Sequence, residues 1–154
     1  MLIVKIAETE EELNGVRFLL EEYGELRQHD AALGDYTKEL AELPGKYSPP
    51  EGILLLASWE GAAAGCVAYR KIGEDICEMK RMYVSPKFRQ KGIGAALIKH
   101  LLEAARNEAY LLMRLDTHPW MESAQKLYQS FGFQEVEAYH YNPTPGIRFF
   151  ELRL

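Results

Sequence analysis

The stretch that most constrains this chain is Arg89-Gln90-Lys91-Gly92-Ile93-Gly94. It follows an apolar run from Ile76 to Val84 and a Ser85-Pro86 break, and it opens an amphipathic segment from Gly92 to about Asn107. Strand, glycine-bearing turn and helix together make an anion site. The first N–H groups of a helix lack backbone partners and carry the positive end of its dipole. Glycines at 92 and 94 keep side chains out of the approach, and Arg89 and Lys91 add charge. The stretch reads as a pyrophosphate cradle. It is not the nucleotide loop G-x-x-x-x-G-K-[ST], which occurs nowhere in the chain. Nor is it the dinucleotide fingerprint G-x-G-x-x-G, whose last small position falls on Leu97.

The rest of the chain organises around that unit. Leu2 to Ile6 is short and β-branched and reads as a strand. Thr9 with Glu12 forms a capping-box pattern that starts a helix, with an apolar stripe of Leu13, Val16, Phe18, Leu19, Leu20, Tyr23 and Leu26. A short helix is predicted over Tyr36 to Leu43, stopped by Pro44-Gly45. Three strands follow, Ile53 to Trp59, Ala63 to Ile72 and Ile76 to Val84, turning at Glu60-Gly61 and Gly73-Glu74-Asp75 as an antiparallel meander. The helix from Gly92 buries Ile93, Leu97, Leu101 and Ala104. Then come a strand Leu111 to Leu115, a helix Trp120 to Ser130 ended by Gly132, and strands Phe133 to Val136 and Ile147 to Leu154. The expected fold is one α/β domain over residues 1–154, with a mixed, mostly antiparallel central sheet and helices on both faces.

Composition narrows the function. A net charge of −5 argues against a protein that reads nucleic-acid phosphates over a broad face. It leaves room for the local basic patch of Lys80, Arg81, Lys87, Arg89 and Lys91. Two cysteines, Cys66 and Cys77, are too few for a disulfide scaffold or a four-cysteine zinc site. In the meander's register Cys77 stands opposite about Lys71, too far from Cys66 to bridge, so both read as buried inert thiols. No His-x-x-x-His or Glu-x-x-His pair is present, and no metal is expected. The N-terminus lacks a basic region and a signal-length apolar run, and no stretch reaches the roughly 18 apolar residues of a membrane span, which points to the cytoplasm.

The cradle fits the pattern [RQ]-x-x-G-x-[GA]. A strand end followed by x-Pro-x-x-Arg appears as Met82-Tyr83-Val84-Ser85-Pro86-Lys87-Phe88-Arg89. A second element, A-x-x-x-Y-x-x-x-G-F, appears as Ala124 to Phe133 with its tyrosine at Tyr128. On these motifs the chain resembles the GNAT superfamily of acyl-CoA-dependent N-acyltransferases, from roughly Ile53 onward. The resemblance implies acetyl-CoA as co-substrate, a small-molecule amine as acceptor and a homodimer, while the net charge and the lack of a membrane-length apolar run set the expectation of no nucleic-acid or membrane partner. It implies that the strand ending at Val84 splays from the strand Leu111 to Leu115, with the pantetheine arm bonded near Met82, Tyr83 and Val84. The diphosphate would then lie on Arg89, Gln90, Lys91, Gly92, Ile93, Gly94 and Ala95, with Ser123 beside it.

Acetyl transfer needs a neutral amine, a stabilised carbonyl oxygen and a leaving thiolate. The resemblance places Glu78 as general base. By strand alternation Glu78, Lys80, Met82 and Val84 share one face. Without the resemblance, Glu78 reads as a solvated carboxylate paired with Lys80 or Lys71. Tyr128 falls where the family holds a tyrosine against the CoA sulfur. A phenol near 10 protonating a thiolate near 8.5 runs uphill, so its hydroxyl acts as a hydrogen-bond donor with a late proton, or its pKa is lowered in place. A core aromatic is the bland alternative. The family often carries asparagine where this chain has Met121. Tyr23, Arg27, Arg81 and Tyr141 are the substrate-side candidates, with His29, Tyr36 and Tyr139 near them. Arg27 and Arg81 suit a carboxylate. Two other readings stand beside the enzyme: a non-catalytic acyl-CoA sensor or partner module, and a protein or peptide N-acetyltransferase. The lid-like aromatic loop from Tyr139 to Gly146 weighs against the last.

Overall fold

The structure is a computed structural model, and it describes residues 1–26 and 36–154. Seven strands form one sheet: β1 (Leu2–Ile6), β2 (Ile53–Trp59), β3 (Ala62–Gly73), β4 (Ile76–Val84), β5 (Leu112–Thr117), β6 (Gln134–Val136) and β7 (Arg148–Arg153). Their spatial order is β1-β2-β3-β4-β5-β7-β6. Every neighbour pair is antiparallel except β4 and β5, which are joined through a helix, as a parallel pair requires. The helices are α1 (Glu10–Leu26), α2 (Tyr36–Ala41), α3 (Ile93–Asn107) and α4 (Glu122–Ser130). The predicted mixed, mostly antiparallel sheet is therefore the observed one. Lys71 pairs with Cys77, as the meander's register implied, and both cysteines are free and buried. Burial pushes each thiol up to about 12, so neither is a ready nucleophile.

Two cores sandwich the sheet. On one face α1 lays Val16, Leu19, Leu20 and Tyr23 over Leu54, Leu56, Cys66 and Ala68. The start of α1 is the expected capping box: Thr9 N–H donates to Glu12 Oε1 at 2.9 Å, and Glu12 N–H donates to Thr9 Oγ1 at 3.2 Å. Phe18 and Leu26, counted in the stripe from sequence, fall outside the buried arc and are exposed. On the other face α3 buries Ile93, Leu97, Ile98, Leu101, Leu102 and Ala105 against β2, β3, β4 and β5. The helix tilts toward positions 98, 102 and 105, so Ala104 is only partly buried.

The feature that shapes the site is a bulge in β4. Ala68 pairs with Lys80 and Cys66 pairs with Tyr83, so Arg81 and Met82 together stand opposite Val67. Arg81 takes a left-handed backbone, φ 58°, which inserts the extra residue. The inserted residue reverses the alternation of faces. Cys77 and Met79 lie on the α3 side before the bulge, and Met82 and Val84 lie there after it, while Tyr83 turns to the α1 side. The expectation that Glu78, Lys80, Met82 and Val84 share one face is therefore overturned. Glu78 pairs across the strands with Arg70, away from Met82 and Val84. Beside the bulge, β4 leaves β5. Ile76, Cys77 and Glu78 pair with Leu112, Met113 and Arg114, and no later residue of β4 pairs with β5.

Candidate functional site

The cradle stands at the end of β4. A short 3-10 turn, Pro86–Phe88, leads into Arg89, and Gly92 caps α3 in the left-handed region at φ 76°. No side chain caps this helix N-terminus. A Cβ built on Gly92 would meet nothing within 4 Å, so the first turn of α3 is open from that side. Such an end offers backbone donors and a favourable dipole to an anion. Gln90 is also left-handed, φ 64°. Arg89 is exposed and its Nε reaches the Val84 carbonyl at 3.4 Å, while Lys91 lies over the Trp59 ring at 5.0 Å. Gly94 does a different job from the one expected. A Cβ there would stand 3.1 Å from Leu127 and 3.2 Å from Met82, so this glycine lets α3, α4 and β4 close together rather than opening a phosphate approach. Ile93 is buried beneath the turn, and Ser123 is exposed in the first turn of α4.

The gap between β4 and β5 opens into a cavity of about 250 Å³. Met79, Met82, Leu115 and Tyr128 reach it from the α3 side, and Tyr23 and Arg81 from the α1 side, so the cavity passes through the sheet at the splay. Tyr128 is nearly buried, and its hydroxyl has no hydrogen-bond partner among the described residues. Burial, with the nearby charge of Asp116, raises its pKa above the ordinary phenol value. A pKa lowered in place, one of the two routes for a proton donor here, is therefore not what the fold provides. Met121 occupies the N-cap of α4, lines the cavity and offers only its sulfur to the Thr117 hydroxyl at 3.7 Å.

Glu78 is 1 % exposed, not a solvated carboxylate. Its Oε1 accepts from Arg70 Nε at 3.1 Å and its Oε2 from the Tyr139 hydroxyl at 2.6 Å. Lys80 Nζ stands 3.8 Å from Oε1 and His140 Nε2 stands 3.8 Å from Oε2. Lys71 instead reaches Glu51. The Tyr139 ring is held by Arg114 over its face and by Phe149 and His140 edge-on. Burial, then the Glu78 charge and hydrogen bond, push the Tyr139 hydroxyl far up, so it remains a donor.

Sequence reasoning missed the pair beside Glu78. His140 Nε2 lies 2.8 Å from Asp116 Oδ2, and Asn142 Nδ2 donates to the same oxygen at 3.2 Å. Both His140 and Asp116 line the cavity. The local signal was too slight to single out Asp116, because β5 already carries a charged residue, Arg114, at the alternate position. Met113, Leu115 and Thr117 alternate into the core, which turns Asp116 to the other face.

On the acceptor side, Tyr23 lines the cavity with its ring 5.2 Å from that of Tyr83. The Tyr83 side chain turns away to Glu22, donating at 2.6 Å. Arg81 lines the cavity with Nε and Nη2 held by Glu39 at 2.6 and 2.8 Å and with Tyr36 under its guanidinium. Tyr141 is 86 % exposed at the rim. Arg27 and His29 lie outside the described residues. Among the described residues no group of three or more His, Cys, Asp or Glu side chains is arranged to hold a metal ion. Among the described residues no helix is long and apolar enough to cross a membrane.

Comparison with known proteins follows the same lines. The model of the acetyltransferase (GNAT) family matches residues 14–133. An uncharacterised N-acetyltransferase of Schizosaccharomyces pombe is 37 % identical over 146 residues, 94 % of this chain and 90 % of its own length. N-acetylaspartate synthetase of Xenopus tropicalis is 36 % identical over 112 residues, which are 68 % of this chain and 41 % of that protein. A solved acetyltransferase-type protein of Salmonella typhimurium, with its cofactor acetyl-CoA, has the same fold. Its TM-score is 0.75 over 99 % of this chain and 93 % of that one, at 18 % identity.

Proposed function

The chain belongs to the GNAT family of acetyltransferases, and on that premise we propose that it moves an acetyl group from acetyl-CoA to the primary amine of a small molecule by direct attack. The observation that carries this reading is the splay of β4 from β5, which opens a cavity lined by Tyr128 and Met82, while the same strand leads on to the uncapped end of α3. Gly92 leaves room for a diphosphate on the backbone donors of α3, with Arg89 and Lys91 nearby. The unpaired edge of β4 from Met82 to Val84 can bond an extended pantetheine arm. Bound there, acetyl-CoA supplies the acetyl group as a thioester. The new N–C bond forms as the C–S bond breaks. The nitrogen gives up one proton to the cluster of Asp116, His140 and Glu78, and the departing sulfur takes one. Tyr128 donates a hydrogen bond to that sulfur; its raised pKa makes it a donor rather than a strong acid. The backbone N–H of Met82 or Tyr83 polarises the carbonyl. A small acceptor agrees with the loop from Tyr139 to Asn142, which is tied across the cavity mouth, and with the amino-acid product in the name of the Xenopus relative.

A second reading, an acyl-CoA sensor, draws on the engagement of Glu78. Both its oxygens are bonded and it is sealed from solvent, which is unusual for a working base. One assay separates the two: CoA-thiol release from acetyl-CoA with pooled amines, polyamines, amino acids and short peptides, products identified by mass spectrometry. An acetylated small amine is the expected result. Tight CoA binding with no product from any pool selects the sensor, and acetylated peptides alone select a protein acceptor.

A further inference from the structure

We infer that the cavity is built with two poles for an amine that also carries a carboxylate, Lys80 reading the carboxylate and Asp116 receiving the ammonium. This rests on the acetyl-transfer reading above. The positive pole is a matter of unmatched charge. Arg70 and Lys80 both pair with one carboxylate, Glu78, which can balance only one of them directly. Glu78 gives its hydrogen bonds to Arg70 and Tyr139, and Lys80 stays 3.8 Å away, outside bonding range. Glu78 is also its sole ion-pair partner among the described residues. The Lys80 side chain is only 21 % exposed, and it lines the cavity. An ammonium withdrawn that far from water without a bonded anion is costly to hold, and a substrate carboxylate would repay it. Arg81 is the contrast: it lines the same wall but is already matched by Glu39.

The negative pole lies across the splay on β5. Asp116 Oδ2 is held by His140 and Asn142, while Oδ1 has no partner among the described residues. Asp116 and Tyr128 line the same cavity, so an ammonium on Oδ1 would share it with the group proposed to meet the CoA sulfur. Once bound, the ammonium loses one proton to Asp116, and from there to solvent; the neutral amine attacks the thioester carbonyl, the N–C bond forms as the C–S bond breaks, and the nitrogen's second proton leaves as the departing thiolate takes one up.

The test uses the intact chain with acetyl-CoA and the twenty protein amino acids. Each is matched with a counterpart in which every carboxylate is a carboxamide. Binding of both sets is measured in parallel by calorimetry in the presence of CoA. The amino acid that is turned over should have a KM on the order of 10- to 100-fold below that of its carboxamide. Lys80→Met should erase that preference while leaving CoA affinity unchanged, and Lys80→Arg should restore part of it. Asp116→Asn should lower kcat for both members of the pair. Equal kcat/KM for acid and carboxamide overturns the two-pole pocket and leaves acetyl transfer standing. Lys80-dependent binding of an amino acid without product keeps the carboxylate site and overturns the enzyme reading. No binding and no turnover of any amino acid overturns the two-pole pocket, and the acetyl-transfer reading is then decided by the wider amine pools.

Discussion

At the scale of single residues, the fold separates side chains left open to the cavity from those bound up with a partner. Tyr128 has a hydroxyl with no partner among the described residues at a cavity wall, and burial keeps it protonated. Tyr128→Phe should lower kcat by about 10- to 100-fold, the scale of one charge-assisted hydrogen bond, with CoA affinity and Tm nearly unchanged. Because its pKa is raised, parent kcat should show no alkaline limb from this group below about pH 10. A fall in Tm of several degrees in place of a loss of kcat would return Tyr128 to the core. Glu39 is a holding residue. Burial works against its charge, but the bidentate bond and charge of Arg81 outweigh it, and its pKa falls below 4.5. A depressed carboxylate contributes stability that is fully present above its unfolded pKa and is lost as pH falls through the lower folded value. Glu39→Gln should cost roughly 3 kcal/mol at pH 7, since it strands a mostly buried guanidinium, and should flatten the fall in Tm below about pH 4.5. Urea titrations across that range check both. Neither Glu39 nor Asp116 was legible as a site residue, because a single carboxylate carries no pattern; only the fold brings Glu39 to Arg81 and Asp116 to His140.

At the scale of elements, the sequence predicted the order of strands and helices and the unit around Gly92 because these rest on local rules. The capping box at Thr9 and Glu12, the short apolar runs of β2 and β3 between their turns, and the glycine turn before α3 each need a few neighbouring residues and no distant partner. The bulge was not legible for the opposite reason. Arg81 looks like any strand residue, and its left-handed backbone follows from pairing with β3 and from the Glu39 bond, both set by tertiary contact. A one-residue insertion turns every later side chain to the other face, so the face assignment of Met82 and Val84 from alternation came out inverted. The two glycines of the cradle also divide their work along the element. Gly94→Ala needs Leu127 and Met82 to give by a few tenths of an ångström and should retain CoA binding, with a stability change within about 1 kcal/mol. Gly94→Glu must place a carboxylate between α3, α4 and β4 at a helix N-terminus, and should weaken CoA binding by more than about 100-fold. Calorimetric titration of both variants with CoA checks the pair. Equal affinity in the two would remove this turn from the diphosphate site.

At the scale of the whole molecule, the sheet is two panels meeting at a weak seam. β1 to β4 form one and β5 to β7 the other, and between them β4 and β5 share rungs only from Ile76 to Glu78. One hydrogen bond from the loop between β6 and β7 crosses that seam, Tyr139 to Glu78, with His140 Nε2 3.8 Å from the same carboxylate, while His140 and Asn142 fix the loop to Asp116 on its own panel. These contacts stand at the cavity, so the groups that tie the seam are also those that would face the proposed acceptor. A ligand lying along the free edge of β4 and anchored at α3 would span the same seam. It binds the folded chain and not the unfolded one, so it must raise stability by mass action, about 2.7 kcal/mol at a hundred times its Kd. For a chain of 154 residues that is a rise in Tm of roughly 5–10 °C. Amide exchange should slow at Met82, Tyr83 and Val84 and in the first turn of α3, and much less in β1 at the far edge of the sheet. Saturating acetyl-CoA with no shift in Tm would mean that the seam is not where the ligand sits. A shift with protection spread evenly over the sheet would mean that the ligand binds without using the edge the bulge leaves free.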